Sequence, residues 1–298
     1  MSNRWFNLGV IGLWLGSMSW LFVAKILPPL LIGQPPSYQN LLATPDRNVA
    51  WRILWNGREV GTASSSSRRK EDGLGELTST VHLTELPLLK MTPPWLAPLV
   101  GDLDALAELD VHAESRIDVD PLGQLLGMES TLKLGAMAEE VHMRGWIEGG
   151  LLNLQVSYGE FAHTTSTSLP QTSLVSDALS PQGWLPNLRV GQNWTAPIYS
   201  PFRPRSKAVE ILEAAVEREE WIVWQGRTVA CLVVVYRSDA GAGGSGDRTR
   251  GKVWVRRDGL VLRQEVDLLG SQLVFERVPD DADTREVVAA AGDGQVDD

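Results

Sequence analysis

Cysteine is almost missing from these 298 residues: Cys231 stands alone, so no intrachain disulfide can form. It lies in the run VACLVVVY, where alternation gives it a buried strand position and no cationic neighbour favours a reactive thiolate. Core packing is its expected role. A lipidation motif of the Leu-x-x-Cys type is also missing near the start, so covalent lipid anchoring is not suggested. Basic residues form neither a face nor a run interleaved with aromatics, which argues against nucleic acid as a partner. Signatures of catalysis are absent as well. No Gly-x-Ser-x-Gly elbow, His-Glu-x-x-His or Cys/His cluster occurs, and the glycine-rich AGAGGSGD lacks the Gly-Lys-Ser/Thr that a phosphate loop requires. It reads as a flexible hairpin loop. The expectation is a protein with no catalytic residue, no metal and no cofactor.

The charge that is present gathers at one end. Of the formal −10, a net −6 falls within 279–298, where seven acids face Arg285 alone, so the remaining chain carries only −4. This Ala/Gly-rich end has no aromatic residue and cannot bury enough apolar surface to offset its ordering entropy. Residues 280–298 are expected to be a disordered tail.

At the other end, eleven residues from Phe6 to Leu27 are Leu, Ile, Val or Phe, and Lys25 is the only charge between Arg4 and Pro28. At about −0.3 to −0.6 kcal/mol each, these residues favour insertion into a bilayer, and Lys25 can snorkel to the headgroups. About 22 helical residues rise roughly 33 Å, enough for a hydrocarbon core of about 30 Å. Pro28 and Pro29 then stop the helix. The spacing predicts a cytoplasmic end at 1–4, a single transmembrane signal-anchor helix over 5–27 and a linker over 28–47. Arg4 on the short side, with no further Arg until Arg47, orients the N-terminus inside and the bulk of the chain in the periplasm or otherwise outside the cytoplasm. A cleaved signal peptide ending near Ser17-Met18-Ser19 is the rival reading, opposed by the apolar WLFVA that follows. Gly12-x-x-x-Gly16 would allow two such helices to approach closely.

From about Asn48 the hydrophobic period becomes two. VAWRILW and REVGTASSS flank Asn56-Gly57, a strong hairpin signal, and similar pairs follow at Glu71-Asp72-Gly73, Pro121-Leu122-Gly123, Gly149-Gly150, Gln225-Gly226, Asp258-Gly259 and Gly270. Ten to thirteen antiparallel strands are expected over 48–279. A meander that long must curl or close, so the predicted fold is mainly β: one strongly curved antiparallel sheet, a half-barrel or open barrel, with a short covering helix. That helix is predicted over 93–107, beginning at Thr92-Pro93-Pro94, with Leu96, Leu99, Val100, Leu103 and Leu106 on one face. Together with Trp95 these form the candidate lid of a ligand site on the concave face. The bilayer surface is the rival resting place for Trp95, Leu96 and Leu99. A second insert, 168–191, carries Pro170, Pro181 and Pro186 and reads as a loop.

Three Val-His dipeptides, at His82, His112 and His142, recur at intervals of thirty. A metal site would require their imidazoles to converge. The hairpin count instead places His112 opposite about Lys133 and sets a full strand between His112 and His142, about 9.6 Å. Asp118 and Asp120 share a strand face, but their place before Pro121 suits hydrogen bonding to a turn. Arg203, Arg205 and Lys207 form a small basic patch that could meet anionic headgroups or simply be solvated.

The N-terminal anchor, the opening WRILWNGREVG, the middle LRVGQNWTAPIYSPF and the closing GKVWVRRDGLVLRQEVDLLGSQLVFERV resemble uncharacterised bacterial membrane-anchored envelope proteins whose domain is a curved antiparallel half-barrel. That architecture is similar to the periplasmic lipoprotein carriers. The resemblance implies a concave apolar face, covered by short helices, that holds acyl chains. It carries over no functional residue, and carriers are soluble or lipid-anchored whereas this chain has an apolar N-terminal segment. The expected function is a non-enzymatic, membrane-anchored, extracytoplasmic β domain binding a lipid-like ligand or an envelope protein. A purely structural subunit of an envelope complex is the alternative, and a hydrolase a distant third.

Overall fold

In the computed structural model, which describes residues 3–23, 36, 47–86, 109–135, 140–168, 176–177, 180–199, 209–238, 249–268 and 271–279, tight turns set the architecture. Asn56-Gly57, Gly149-Gly150 and Gln225-Gly226 all have positive φ at both positions, as two-residue hairpins require. At Asp120 the turn is closed differently: its carboxylate accepts from the Leu122 and Gln124 N–H groups at 2.9 and 2.7 Å. That is the turn role expected of it, while Asp118 pairs with Lys70 and Arg116.

The strands are β1 (Arg47–Trp55), β2 (Arg58–Arg69), β3 (Gly75–Leu86), β4 (Leu109–Val119), β5 (Leu125–Leu134), β6 (Val141–Glu148), β7 (Leu151–Tyr158) and β8 (Phe161–Ser168). There follow β9 (Ser176–Asp177), β10 (Asn193–Tyr199), β11 (Val209–Trp224), β12 (Arg227–Ser238), β13 (Thr249–Arg256), β14 (Val261–Leu268) and β15 (Ser271–Arg277). One helix, α1 (Asn3–Leu21), precedes them. Among the described residues fourteen strands pair antiparallel in a single sheet, and the two-residue β9 adds to β10 in parallel. The ten to thirteen strands expected were too few. β8, FAHTTSTS, has no hydrophobic alternation because it is an edge strand, and β10 contains Pro197, which a strand tolerates only where one side lacks a partner.

The spatial order runs β8 to β1, then β15 back to β9. The first and last long strands are therefore neighbours, with Trp51 opposite Arg277 and Ile53 opposite Phe275. The sheet stays open between β8 and the β9–β10 edge. It is nevertheless rolled, because Val81 and Val111 of β3 and β4 share one buried cluster with Leu212 and Ala214 of β11, at the other end of the strand order. This cluster, centred on Trp51, Ile53, Leu273 and Phe275, lines the concave face. Gly61 permits a close approach there, since a Cβ at this position would collide with the His82 carbonyl.

Antiparallel pairing sorts the connections onto two rims. The entry rim holds the start of β1, the turns at 70–74, 120–124, 149–150, 225–226 and 257–260, and the end of β15. The far rim holds the Asn56-Gly57 turn and the connections 87–108, 200–208 and 239–248.

The period of two puts Trp254 on the face opposite Trp51, and its neighbours Lys252 and Arg256 predict a wetter side for it. Opposite it is, but it is 6% exposed. A second core covers the convex face of β12 to β14, where Cys231, Val233, Val235, Leu260 and Leu262 pack with Trp254 and with partly buried Trp184 and Trp224. Arg263 stacks over the Trp254 ring at 5.4 Å, and the indole N–H donates to Glu220 at 3.3 Å. The expected burial of Cys231 holds: it is fully buried.

The helix α1 leaves its apolar side chains in the open, Trp20 being 75% exposed. Among the described residues no helix is long and apolar enough to cross a membrane. The remainder of the segment 5–27, the linker predicted over 28–47 except residue 36 and Arg47, which opens β1, and the tail 280–298 lie outside the described residues.

Candidate functional site

A row of mostly small side chains crosses the concave face. Val49, Ser65, Ser79, Ser115 and Ser130 are successive register partners on β1 to β5, and the long side chain of Met143 on β6 ends the row. Beside them run Ala63, Val81, Ala113 and Leu132. Hydroxyls and methyls in place of Leu or Phe leave a shallow channel in the floor of an otherwise bulky core.

The segment 180–192 crosses this face, and its residues 180–183 run along the channel. Gly183 passes so close that a Cβ would lie 3.2 Å from Val49 Cγ2 and 3.4 Å from Ser65 Oγ. Ser180 and Ser115 share a hydrogen bond of 2.9 Å, and the Gln182 N–H donates to Gln264 Oε1 at 3.1 Å. The Tyr236 hydroxyl donates to Gln182 Oε1 at 3.2 Å, and burial pushes its pKa up. Two backbone bonds, Leu185 N–H to Gly259 O at 2.8 Å and Val261 N–H to Gly183 O at 3.3 Å, fix the segment against the β13–β14 turn. Leu185 then inserts into the main core, 1% exposed, while neighbouring Trp184 joins the convex one. The insert read as a loop is thus, over 180–192, a strap that plugs the entry-rim end of the interior. Its sequence, SPQGWLPNLRVGQ, has no periodicity that could reveal this.

The far rim is built differently. Leu86 pairs with Leu109, so the connection 87–108 leaves and returns at the same point of that rim. A groove of about 300 Å³ lies there between β13, β14 and β15, lined by Thr249, Arg250, Lys252, Glu265, Val266 and Asp267 among others. Glu265 is engaged by Arg263 at 2.7 Å and by Gln272 at 2.9 Å. Both charge signs alternate along the groove wall, so it presents no concentrated field of one sign.

The six lid candidates Trp95, Leu96, Leu99, Val100, Leu103 and Leu106 lie outside the described residues, as does the basic trio Arg203, Arg205 and Lys207. For the histidines, the expected separation is found: His112 faces Lys133, and β5 stands between β4 and β6. His82 and His112 are direct cross-strand partners, however, with ring centroids 6.1 Å apart, a juxtaposition the equal spacing did not reveal. Among the described residues no group of three or more His, Cys, Asp or Glu is placed to hold a metal ion.

No protein-family model matches the chain. A search of the curated proteins finds no match either. Among solved structures, a beta-barrel-like protein of the domain of unknown function DUF1849 from Brucella abortus is 9% identical, covering 78% of this chain and 95% of its own, with a TM-score of 0.47. A "putative lipoprotein" from Parabacteroides distasonis is 11% identical, covering 82% of this chain and 98% of its own, with a TM-score of 0.24.

Proposed function

We propose that this chain is a non-enzymatic β domain held at a membrane by its N-terminal segment, with the sheet outside the cytoplasm, and that it binds a lipid-like ligand on the concave face. The observation that supports this reading is the asymmetry of the interior. At the entry rim Leu185 and the strap pack into the interior, whereas the far rim carries the Leu86–Leu109 register pair, from which the insert with the lid candidates departs. An acyl chain entering beneath that insert would gain about 0.8 kcal/mol per buried methylene. The exposed apolar surface of α1 supports the anchor, since twelve of its large side chains and those just after it would otherwise face water.

The test is the double substitution Leu99→Asp with Leu103→Asp in the full chain. A fluorescent fatty acid should bind the parent and be lost from the variant, while the melting curve by circular dichroism stays cooperative. No binding by the parent, or loss of cooperative unfolding in the variant, defeats the reading. The second reading, a partner subunit, is favoured by edge strand β8, whose outer side has no strand partner among the described residues. Native mass spectrometry that finds co-purified protein in place of lipid would favour it.

A further inference from the structure

Outside α1 and the residues just after it, nine large apolar side chains among the described residues are exposed, and seven of them lie toward one rim. Leu122 tips the β4–β5 turn and Leu126 follows it at the start of β5. Ile147 and Leu151 flank the Gly149-Gly150 turn, and Val190 stands at the entry to β10. Trp221 and Val223, 69% and 77% exposed, project from the end of β11. Only Phe161 and Ile211 stand toward the far rim. Chance scatter of surface hydrophobes needs no explanation, but gathering along one rim does.

The β11–β12 hairpin is built to hold such side chains out. From Arg218 onward β11 is paired with β12, while its last pairing with β10 is at Ala215. Alternation sends Ile222 and Trp224 into the convex core and Trp221 and Val223 the other way. The Trp224 indole N–H donates to the Arg277 carbonyl at 3.3 Å, which ties the tip to the end of β15. Val278 N–H in turn donates to the Ala50 carbonyl at 2.9 Å, three residues from where β1 begins at Arg47.

That placement identifies the occupant. The 23 residues between Val23 and Arg47 span at most about 80 Å, and they end on the same rim as the exposed apolar side chains. We infer that the entry rim is a membrane-docking face: Trp221, Val223 and Leu122 enter the interfacial layer of the bilayer that receives α1. This rests on the anchor reading above. Trp suits that layer, with an apolar ring and a polar N–H. Charge does not drive the contact, because the acidic end of the chain, net −6 over 279–298, also leaves from this rim.

The full chain, reconstituted in phosphatidylcholine vesicles with brominated acyl chains, tests this. Val223→Cys and, separately, Leu122→Cys receive a thiol-reactive fluorophore, and Phe161→Cys serves as the far-rim control; buried Cys231 stays unlabelled. The expected result is loss of most emission at positions 223 and 122, none at 161, unchanged by high salt. A Trp221→Asp background that keeps its melting temperature should restore emission at 122. Vesicle flotation with no quenching at either entry-rim position overturns the docking face and leaves the anchor standing. A chain that fails to float overturns both. Shielding of position 223 that needs no lipid and grows with protein concentration overturns the inference in favour of a protein partner, and salt-sensitive quenching refutes the apolar mode of contact.

Discussion

Trp51 and Trp254 lie on opposite faces of the same sheet and are both buried, at 0% and 6% exposure. Trp51→Ala should cost about 3–5 kcal/mol, and Trp254→Ala should fall in the same range because it opens a cavity in the convex core. Urea unfolding followed by circular dichroism checks both; a near-zero cost for Trp254 would show that this cluster is not a core. The period of two was enough to assign each indole to its face. It could not show that the convex face is covered, since the covering groups come from Glu220 on β11, Arg263 on β14 and Trp184 on the strap. Cys231 was readable from its run alone. Burial pushes its thiol pKa up from 9.0 to about 11. The unfolded chain therefore releases that proton first, and stability should fall as pH rises from about 9 to about 11 while being unaffected below that window. Cys231→Ala should flatten this part of a plot of unfolding midpoint against pH, and an unchanged slope would contradict it.

Hairpin turns, as elements, were the most legible feature, because Asn56-Gly57 and Gln225-Gly226 carry their backbone requirement in their side chains. The strap was not legible. What makes 180–192 part of the interior is a serine row contributed by four different strands, and no local pattern in the strap records it. Two substitutions distinguish a strap that is core from one that merely rests on the surface. Leu185→Ala should cost about 2–5 kcal/mol, as for a buried leucine. Gly183→Val should cost about 1–3 kcal/mol by crowding Val49 and Ser65. Thermal melts in which both variants match the parent would mean that the channel closes equally well without its strap. Of the candidate site itself, the sequence marked an insert with an apolar stripe, and the structure adds the rim from which that insert departs.

The whole molecule is organised by a contact that no hairpin signal announces, the pairing of β1 with β15 across more than two hundred residues of chain. Each of these strands would be an edge if the meander simply began and ended; joined, they stand at the centre of the sheet, with β15 hydrogen-bonded to β14 on one side and β1 on the other. The exposed edges fall instead in the middle of the chain, at β8 and at β9–β10. Truncation therefore should have a sharp boundary. Ending the chain after Pro279 removes only the acidic tail and should leave the melting temperature within error, because the last sheet bond, Val278 N–H to Ala50 O, is retained. Ending it after Leu268 removes β15, strips Leu273 and Phe275 from the main core and leaves Trp51 and Ile53 without their partners. Losing Leu273 at about 2–5 kcal/mol and Phe275 at about 3–5 kcal/mol, together with two strand interfaces, is comparable to the whole of the roughly 5–15 kcal/mol that typically holds a domain. The expected outcome is no cooperative transition by circular dichroism. A shorter chain that still melts cooperatively would place the structural centre of the sheet elsewhere than at the meeting of its first and last strands.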